Sequence, residues 1–167
     1  MIARHNSLRD LVASFASAAC LDPVKEKSGL LGDAPGQRPA DIFIPRLYNG
    51  LPSAIDIAVT CPLQDRFINE PNPAEKYAQE TKHNKYDKGF DGTQIDFVAA
   101  VVETFGGWSK EGEMVVSEIV KRAAKRQTTS PGPFVTTCWQ KLSCTLQILN
   151  SRATLNRIVV PEQGWLR

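Results

Sequence analysis

The spacing of apolar residues along the first third of the chain predicts one helix followed by two short strands. Near the start, apolar residues recur at intervals of three and four, as on the buried face of a helix: Leu8, Leu11, Val12, Phe15 and Ala19. We predict that Asn6 or Ser7 caps this helix and that it ends before Pro23. Two short runs rich in β-branched apolar residues follow, 41–44 and 54–61, with a proline directly after each. Such runs are typical of strands, so the pattern predicts a strand hairpin.

The rest of the chain predicts a polar helix, a buried strand and two more helices. Residues 74–88 are rich in Lys, Glu and other helix-forming polar residues, whereas 94–105 form an almost continuous apolar run, as in strands buried on both faces. A helix capped by Ser109 and a last helix opened by Pro133 follow. The element order α-β-β-α-β-α-α predicts an α/β (α+β) fold with a mixed central sheet flanked by helices.

Length and composition predict one domain. The 167 residues are 42% hydrophobic, and neither a flexible linker nor an internal repeat divides them. We therefore predict a single domain over residues 1–157 and a C-terminal tail over 158–167. No apolar run approaches the ~18 residues of a membrane span, and the start lacks an apolar signal segment, so we expect an intracellular protein without a membrane partner.

Two aspartates, Asp41 and Asp56, lie inside the two predicted strands of the hairpin. A symmetric register places them directly opposite each other, a shift of two leaves them diagonal on one face, and a shift of one separates them. Alternation places Asp56 on a face with Ala54, Ala58 and Thr60, whereas the larger apolar residues point the other way. A carboxylate on such a face needs a cation or hydrogen bonds, so the pair predicts a site for a hard cation.

Structural roles for the same residues remain open alternatives. Asp41 can begin its strand as a turn residue, and Asp56 can pair with an arginine. Among the other acids, Glu80 and Glu103 are candidate third ligands, with an ion pair as the alternative for Glu103. Asp10 falls away from the apolar stripe of its helix and is not counted as a ligand.

A third group of candidates follows the strands in the segment KHNKY. Lys82, Lys85 and Tyr86 are spaced so that they project from one side of the predicted helix. Phosphodiester hydrolysis at a carboxylate-bound metal benefits from a cation that orients the attacking water and offsets charge on the phosphorus. We expect Lys82 or Lys85 to supply it, with a solvated helix face as the alternative.

The chain becomes basic towards its end. From residue 121 onwards only Glu162 opposes a set of eight cationic side chains: Lys121, Arg122, Lys125, Arg126, Lys141, Arg152, Arg157 and Arg167. Such an excess of positive charge is typical of a surface that follows the phosphates of a nucleic acid. A run of charged residues is more often simply a solvated face, and this alternative remains open.

The strings RHNSL, RPADI, AIDIAV and KHNKY, in this order, resemble the restriction-like endonuclease domain found downstream of reverse transcriptase in site-specific non-LTR retrotransposons and related retroelement proteins. The resemblance covers roughly residues 4–157, and the later VVETFGGW and WQKLSCTLQILNSRATLNR are similar to the tail of such sequences. It implies a restriction-endonuclease-like core of the PD-(D/E)xK superfamily, built from a helix, a strand hairpin, a third strand and packed helices.

The resemblance also implies roles for particular residues. Asp41 and Asp56 match the two metal-binding acids. Lys82 or Lys85 matches the catalytic lysine, which in this branch of the family lies on the helix that follows the hairpin. Mg²⁺ or Mn²⁺ is the implied cofactor, with no small-molecule cofactor, and DNA is the implied partner. The expected nucleic-acid contacts are Arg4, His5, Arg38, Tyr86, Lys121, Arg122, Lys125 and Arg126. Target nicking by a larger reverse transcriptase protein in the nucleus is the corresponding function.

Two departures from the family pattern leave a second function open. The dipeptide PD is PAD here, with Ala40 intervening, and Ala58 stands where the wider superfamily has a lysine two residues after the second acid. The chain also contains neither a reverse transcriptase domain nor a zinc knuckle. A catalytically inactive nucleic-acid-binding or interaction domain with the same fold is therefore the alternative, and an unrelated α/β protein is a third.

Overall fold

A four-stranded mixed sheet with helices on both faces forms the centre of the protein. The computed structural model describes residues 2–127 and 130–158. The strands are β1 (Val24–Lys25), β2 (Ile42–Ile44), β3 (Ser53–Thr60) and β4 (Asp96–Glu103). The helices are α1 (Ile2–Ala18), α2 (Pro73–Tyr77), α3 (Asn84–Phe90), α4 (Lys110–Gln127) and α5 (Pro131–Ile158). A π-helical segment (Ala78–His83) joins α2 to α3, and a 3₁₀ turn (Asp65–Phe67) precedes α2. The predicted tail lies outside the described residues from 159 onwards.

The strands lie in the order β1-β2-β3-β4, so the mixed sheet predicted from the sequence is confirmed. β2 is antiparallel to both β1 and β3, whereas β4 is parallel to β3 over its whole length. The segment from α2 to α3 forms the crossover that a parallel pair requires. The two-residue strand β1 is absent from the predicted order because it is too short and polar to show a period.

The two faces of the sheet are covered by different helices. Helices α1, α4 and α5 pack on the face that carries the large branched residues, including Ile55, Ile57, Val98 and Val102. The segment from α2 to α3 packs on the other face, against Ala54, Ala58, Ala99 and neighbouring residues. The predicted division into a large-residue face and a small-residue face is confirmed, and small side chains let the crossover helix approach the strands closely.

Several predicted helix boundaries were wrong. Helix α1 begins at Ile2, so Asn6 and Ser7 lie inside it, and α5 begins at Pro131 rather than Pro133. Ser109 precedes α4, but its buried hydroxyl donates to the carbonyl of Ala99 and accepts the backbone N–H of Val101. Ser109 therefore bonds to β4 because it packs directly on that strand, and Glu75 of α2 accepts the first N–H of α4 instead.

Candidate functional site

The register of the hairpin is the symmetric one. Ile42 pairs with Ile55 and Phe43 with Ala54, and the paired residues end there, one residue after Asp41. Asp56 faces the side of the sheet with Ala54 and Ala58. The Asp41 carboxylate lies near enough for its charge to contribute to raising the pKa of Asp56, whereas the placement of both acids on one face stays a prediction.

Asp41 is fixed at a bulge just before β2. Its backbone N–H donates to the carbonyl of Ile55 at 3.0 Å, one residue away from the partner that the regular register gives. Its Oδ2 accepts the backbone N–H of Ile57 at 2.7 Å. If β2 were longer, a backbone carbonyl of β2 would accept this N–H instead. The carboxylate therefore has a defined orientation, and the alternative of a simple turn residue does not account for it.

His5 reaches the same carboxylate from α1. It extends the apolar stripe of that helix towards its N-terminus, because it lies three residues before Leu8 and seven before Val12. Its Nε2 lies 2.9 Å from Asp41 Oδ1. This hydrogen bond raises the pKa of His5 above 6.5. The structure thus brings His5, a nucleic-acid contact in the sequence prediction, to Asp41.

Asp56 lies buried on β3 and pairs with Lys82 rather than with an arginine. The Lys82 Nζ atom lies 2.6 Å from Asp56 Oδ2, and both side chains are less than one-fifth exposed. Burial raises the pKa of Asp56 in spite of this partner. Burial lowers the pKa of Lys82, but the Asp56 carboxylate more than offsets it and the pKa of Lys82 is raised. The site therefore keeps a protonated lysine against a desolvated acid.

The placement of Lys82 follows from the residues that precede it. Ala74 and Ala78 are buried against the small-residue face of the sheet, and Lys82 continues their spacing of four. The π-helical segment contains Lys82, and single π turns are frequent at functional sites. The small side chains of the two alanines thus let the helix pack closely on the sheet, and Lys82 can reach Asp56.

Lys85 and Tyr86 are not at the acids. Lys85 is exposed, and its Nζ lies 4.7 Å from the centroid of the Tyr86 ring. Tyr86 packs against Phe97 with ring centroids 5.3 Å apart. Of the two lysines left open by the sequence, the structure places only Lys82 against an aspartate.

The other predicted nucleic-acid contacts fall into two groups. Arg4 Nη1 donates to Asn150 of α5 at 2.7 Å, and exposed Arg38 pairs with Glu26 at 3.0 Å. The cluster on α4 consists of Lys121, Arg122, Lys125 and Arg126. Helix α4 packs on the opposite face of the sheet from Asp56 and Lys82. Arg122 also donates to the carbonyl of Leu47, in the loop between β2 and β3. This cluster is therefore a surface separate from Asp56 and Lys82.

The additional acids considered from the sequence are not at the site. Glu80 is exposed, and Asp10 pairs on the surface with Arg9 and Lys25. Glu103 lies four residues beyond Ala99, the β4 partner of Asp56, which is about 13 Å along the strand. Its Oε1 accepts the backbone N–H of Ala74 at the start of α2. Glu103 thus anchors the crossover helix.

The donor set at the two aspartates fits a magnesium ion held largely by water. An ionised carboxylate has about four acceptor positions, and Mg²⁺ is commonly held by one or two carboxylates with several waters. Asp41 has two protein partners, and the buried Oδ2 of Asp56 has no hydrogen bond of good geometry in spite of its contact with Lys82. Within residues 2–127 and 130–158, no group of three His, Cys, Asp or Glu side chains has metal-binding geometry. Water and substrate oxygens would therefore complete the coordination.

Next to Lys82, His83 ties the crossover helix to α4. Its Nε2 lies 2.6 Å from Glu111 Oε1 and its Nδ1 lies 2.8 Å from Asp87 Oδ1. Burial lowers the pKa of His83, but the hydrogen bonds to Glu111 and Asp87 outweigh it, so the pKa is raised above 6.5. Sequence reasoning did not identify this contact, because its partners are separated by 28 residues.

This contact predicts a pH dependence of stability. Because folding raises the pKa of His83, its stabilising contribution is complete below its unfolded pKa of about 6.5 and is lost as the pH rises through the folded value. Urea unfolding of the wild type between about pH 6 and pH 9 should show this loss, and His83→Gln should show a flatter profile. Equal slopes in the two proteins would contradict the assignment.

No helix in the described part of the chain is long and apolar enough to cross a membrane. Comparison of the sequence with protein-family models gave no match, and comparison with curated proteins gave none either.

Proposed function

We propose that the protein is a metal-dependent DNA endonuclease domain of the PD-(D/E)xK kind, which hydrolyses a phosphodiester bond for target nicking of the retroelement type. The observation that carries the proposal is the convergence of two pairs, His5 with Asp41 and Lys82 with Asp56, whose acids lie near enough for their charges to interact. These groups come from four separate parts of the chain, and none of the alternatives for single residues explains why they converge.

The order of elements supports the same proposal. A helix, a strand hairpin, a crossover helix and a strand parallel to the second hairpin strand agree with the core that the resemblance implies. Lys82 comes from the helix after the hairpin, as in the branch resembled, and so compensates for Ala58 on the strand. The intervening Ala40 is compatible with the site because Asp41, just before β2, still lies near Asp56.

Each residue has a role that follows from its contacts. Asp41 and Asp56 would hold Mg²⁺ or Mn²⁺, which when bound supplies charge stabilisation and a more acidic water. Lys82 is placed to donate to a phosphate oxygen or to the attacking water, and its charge offsets the charge that develops on the phosphorus. His5 and the N–H of Ile57 act as positioning groups, because each binds one oxygen of Asp41 and fixes the carboxylate.

DNA is the proposed substrate, and the nucleus and a larger reverse transcriptase protein are the proposed setting. Exposed Lys85 follows Lys82 by three residues, at the start of α3, and Arg4 precedes His5 on α1. Both are proposed to contact the strand that carries the reacting phosphate. The basic cluster on α4 would hold DNA only at a second surface, without reading its sequence.

A catalytically inactive DNA-binding domain is the second candidate, and one observation favours it. Both oxygens of Asp41 accept protein hydrogen bonds, and Lys82 already occupies the open side of Asp56. An ammonium group can thus replace the metal as the partner of the acid. In that case the protein binds DNA with a steep dependence on salt but cuts nothing.

Conversion of supercoiled plasmid to open circles distinguishes the two functions. We expect the purified protein to nick plasmid in Mg²⁺ or Mn²⁺ and to stop when EDTA removes the ion. Failure to nick in either ion, combined with salt-sensitive DNA binding, would overturn the endonuclease and leave the binding domain.

A further inference from the structure

A pocket of about 390 Å³ lies beyond the C-terminal ends of β3 and β4, between α1 and α5. Its volume is within the range of small-molecule and cofactor sites, roughly 300–1,000 Å³. Residues that form it include Arg4, Leu63, Thr104, Phe105, Gln147 and Asn150. They come from four separate segments of the chain, so the sequence alone gave no sign of the pocket.

One wall of the pocket is polar and held in place by hydrogen bonds. The side-chain amides of Gln147 and Asn150 both donate to the carbonyl of Thr104, at 3.2 and 2.6 Å. Asn150 Oδ1 in turn accepts from Arg4 Nη1 at 2.7 Å. This network fixes a guanidinium group and two amides side by side before any ligand arrives, which lowers the cost of binding.

The rim of the pocket is apolar and exposed. Phe105 and Leu63 are each 66% exposed, although burial of such side chains stabilises most proteins. Phe105 stands directly before Gly106, whose positive φ of 104° fixes the turn that presents the ring. An exposed aromatic ring beside amides and an arginine is typical of sites that stack and hydrogen-bond a nucleobase.

The pocket also lies close to Asp41. Arg4 is the neighbour of His5, which contacts Asp41. Val59, which lines the pocket, lies three residues beyond Asp56 on β3, about 10 Å along the strand, and its side chain points to the opposite face of the sheet. A DNA strand bound at Asp41 therefore reaches the pocket past His5 and Arg4.

We propose that this pocket binds one unpaired nucleotide of the DNA strand that is cut. The base stacks on Phe105, its polar edge meets the amides of Gln147 and Asn150, and Arg4 contributes positive charge. This inference rests on the proposed function, because the aspartates set which strand enters. Since a paired base would first have to leave its stack, the pocket favours flaps, gaps and branched DNA over uninterrupted duplex.

Binding of a short fluorescein-labelled oligothymidylate in EDTA tests the pocket without catalysis. Phe105→Ala should weaken binding about 5- to 10-fold, because stacking of a base on an aromatic side chain is lost. The control is Met114→Ala, which removes an equally exposed apolar side chain from α4 and should leave binding unchanged. Equal affinities of wild type and Phe105→Ala would overturn the proposal, as would an equal loss in Met114→Ala.

A nicking assay separates failure of the pocket from failure of the endonuclease. The wild type should cut a duplex with a single-stranded flap faster than a fully paired duplex, and Phe105→Ala should reduce this preference. If both substrates are cut equally by both proteins, the pocket proposal is wrong and the endonuclease stands. If nothing is cut but Phe105→Ala still weakens oligonucleotide binding, the endonuclease is wrong and the pocket stands.

Discussion

Replacing Lys82 with alanine should lower the free energy of unfolding by about 3 kcal/mol at neutral pH, because it leaves the buried Asp56 carboxylate without its cation. Urea denaturation measures this change. The loss should shrink as the pH falls. Burial already raises the pKa of Asp56, and removal of Lys82 raises it further, so protonation relieves the unpaired charge in the folded protein.

Lys85→Ala is the matched control for this prediction. Lys85 lies three residues away, at the start of α3, and is exposed, so its removal should change stability by no more than about 0.5 kcal/mol. A comparable loss in both variants, or a Lys82→Ala loss that grows at low pH, would contradict the buried ion pair.

Replacing Asp56 with asparagine should reduce metal-dependent nicking on the order of 100-fold or more while DNA binding remains. The variant keeps the shape of the side chain but removes one of the two charges that would hold the metal. Several kcal/mol of transition-state stabilisation are lost with it, and each 1.4 kcal/mol corresponds to about a factor of ten in rate. Plasmid nicking and a DNA-binding titration, measured on the same preparation, separate the two effects.

Asp33→Asn is the control for the charge change alone. Asp33 is exposed in the loop between β1 and β2, so its replacement should leave nicking at the wild-type rate. Asp56→Asn protein that still nicks at that rate would remove Asp56 from the site. Loss of nicking in Asp33→Asn as well would indicate a general charge effect instead.

The face of Asp56 could be predicted from the sequence because side chains alternate along a strand. Ile55 and Ile57 belong to the large-residue face, so Asp56 had to share the other face with Ala54 and Ala58. The symmetric register was one of the three considered, and the pairing of Ile42 with Ile55 selects it. The mixed sheet followed from the same runs, since the apolar run in β4 is typical of a buried parallel strand.

Other features depend on tertiary packing that no local pattern contains. A regular helix places Lys82, Lys85 and Tyr86 on one side, but only Lys82 continues the spacing of the buried alanines. The contact of His5 with Asp41 requires α1 to begin earlier than its polar residues suggest. The pocket combines segments separated by more than 140 residues, as the bond between Arg4 and Asn150 illustrates.

The central claim is that Asp41 and Asp56 together hold a divalent cation. Titration with Mn²⁺, followed by the relaxation of water protons, measures this directly in the absence of DNA. We predict saturable binding by the wild type and its loss in both Asp41→Ala and Asp56→Asn. Absence of saturable binding in the wild type, or unchanged binding in either variant, would contradict it.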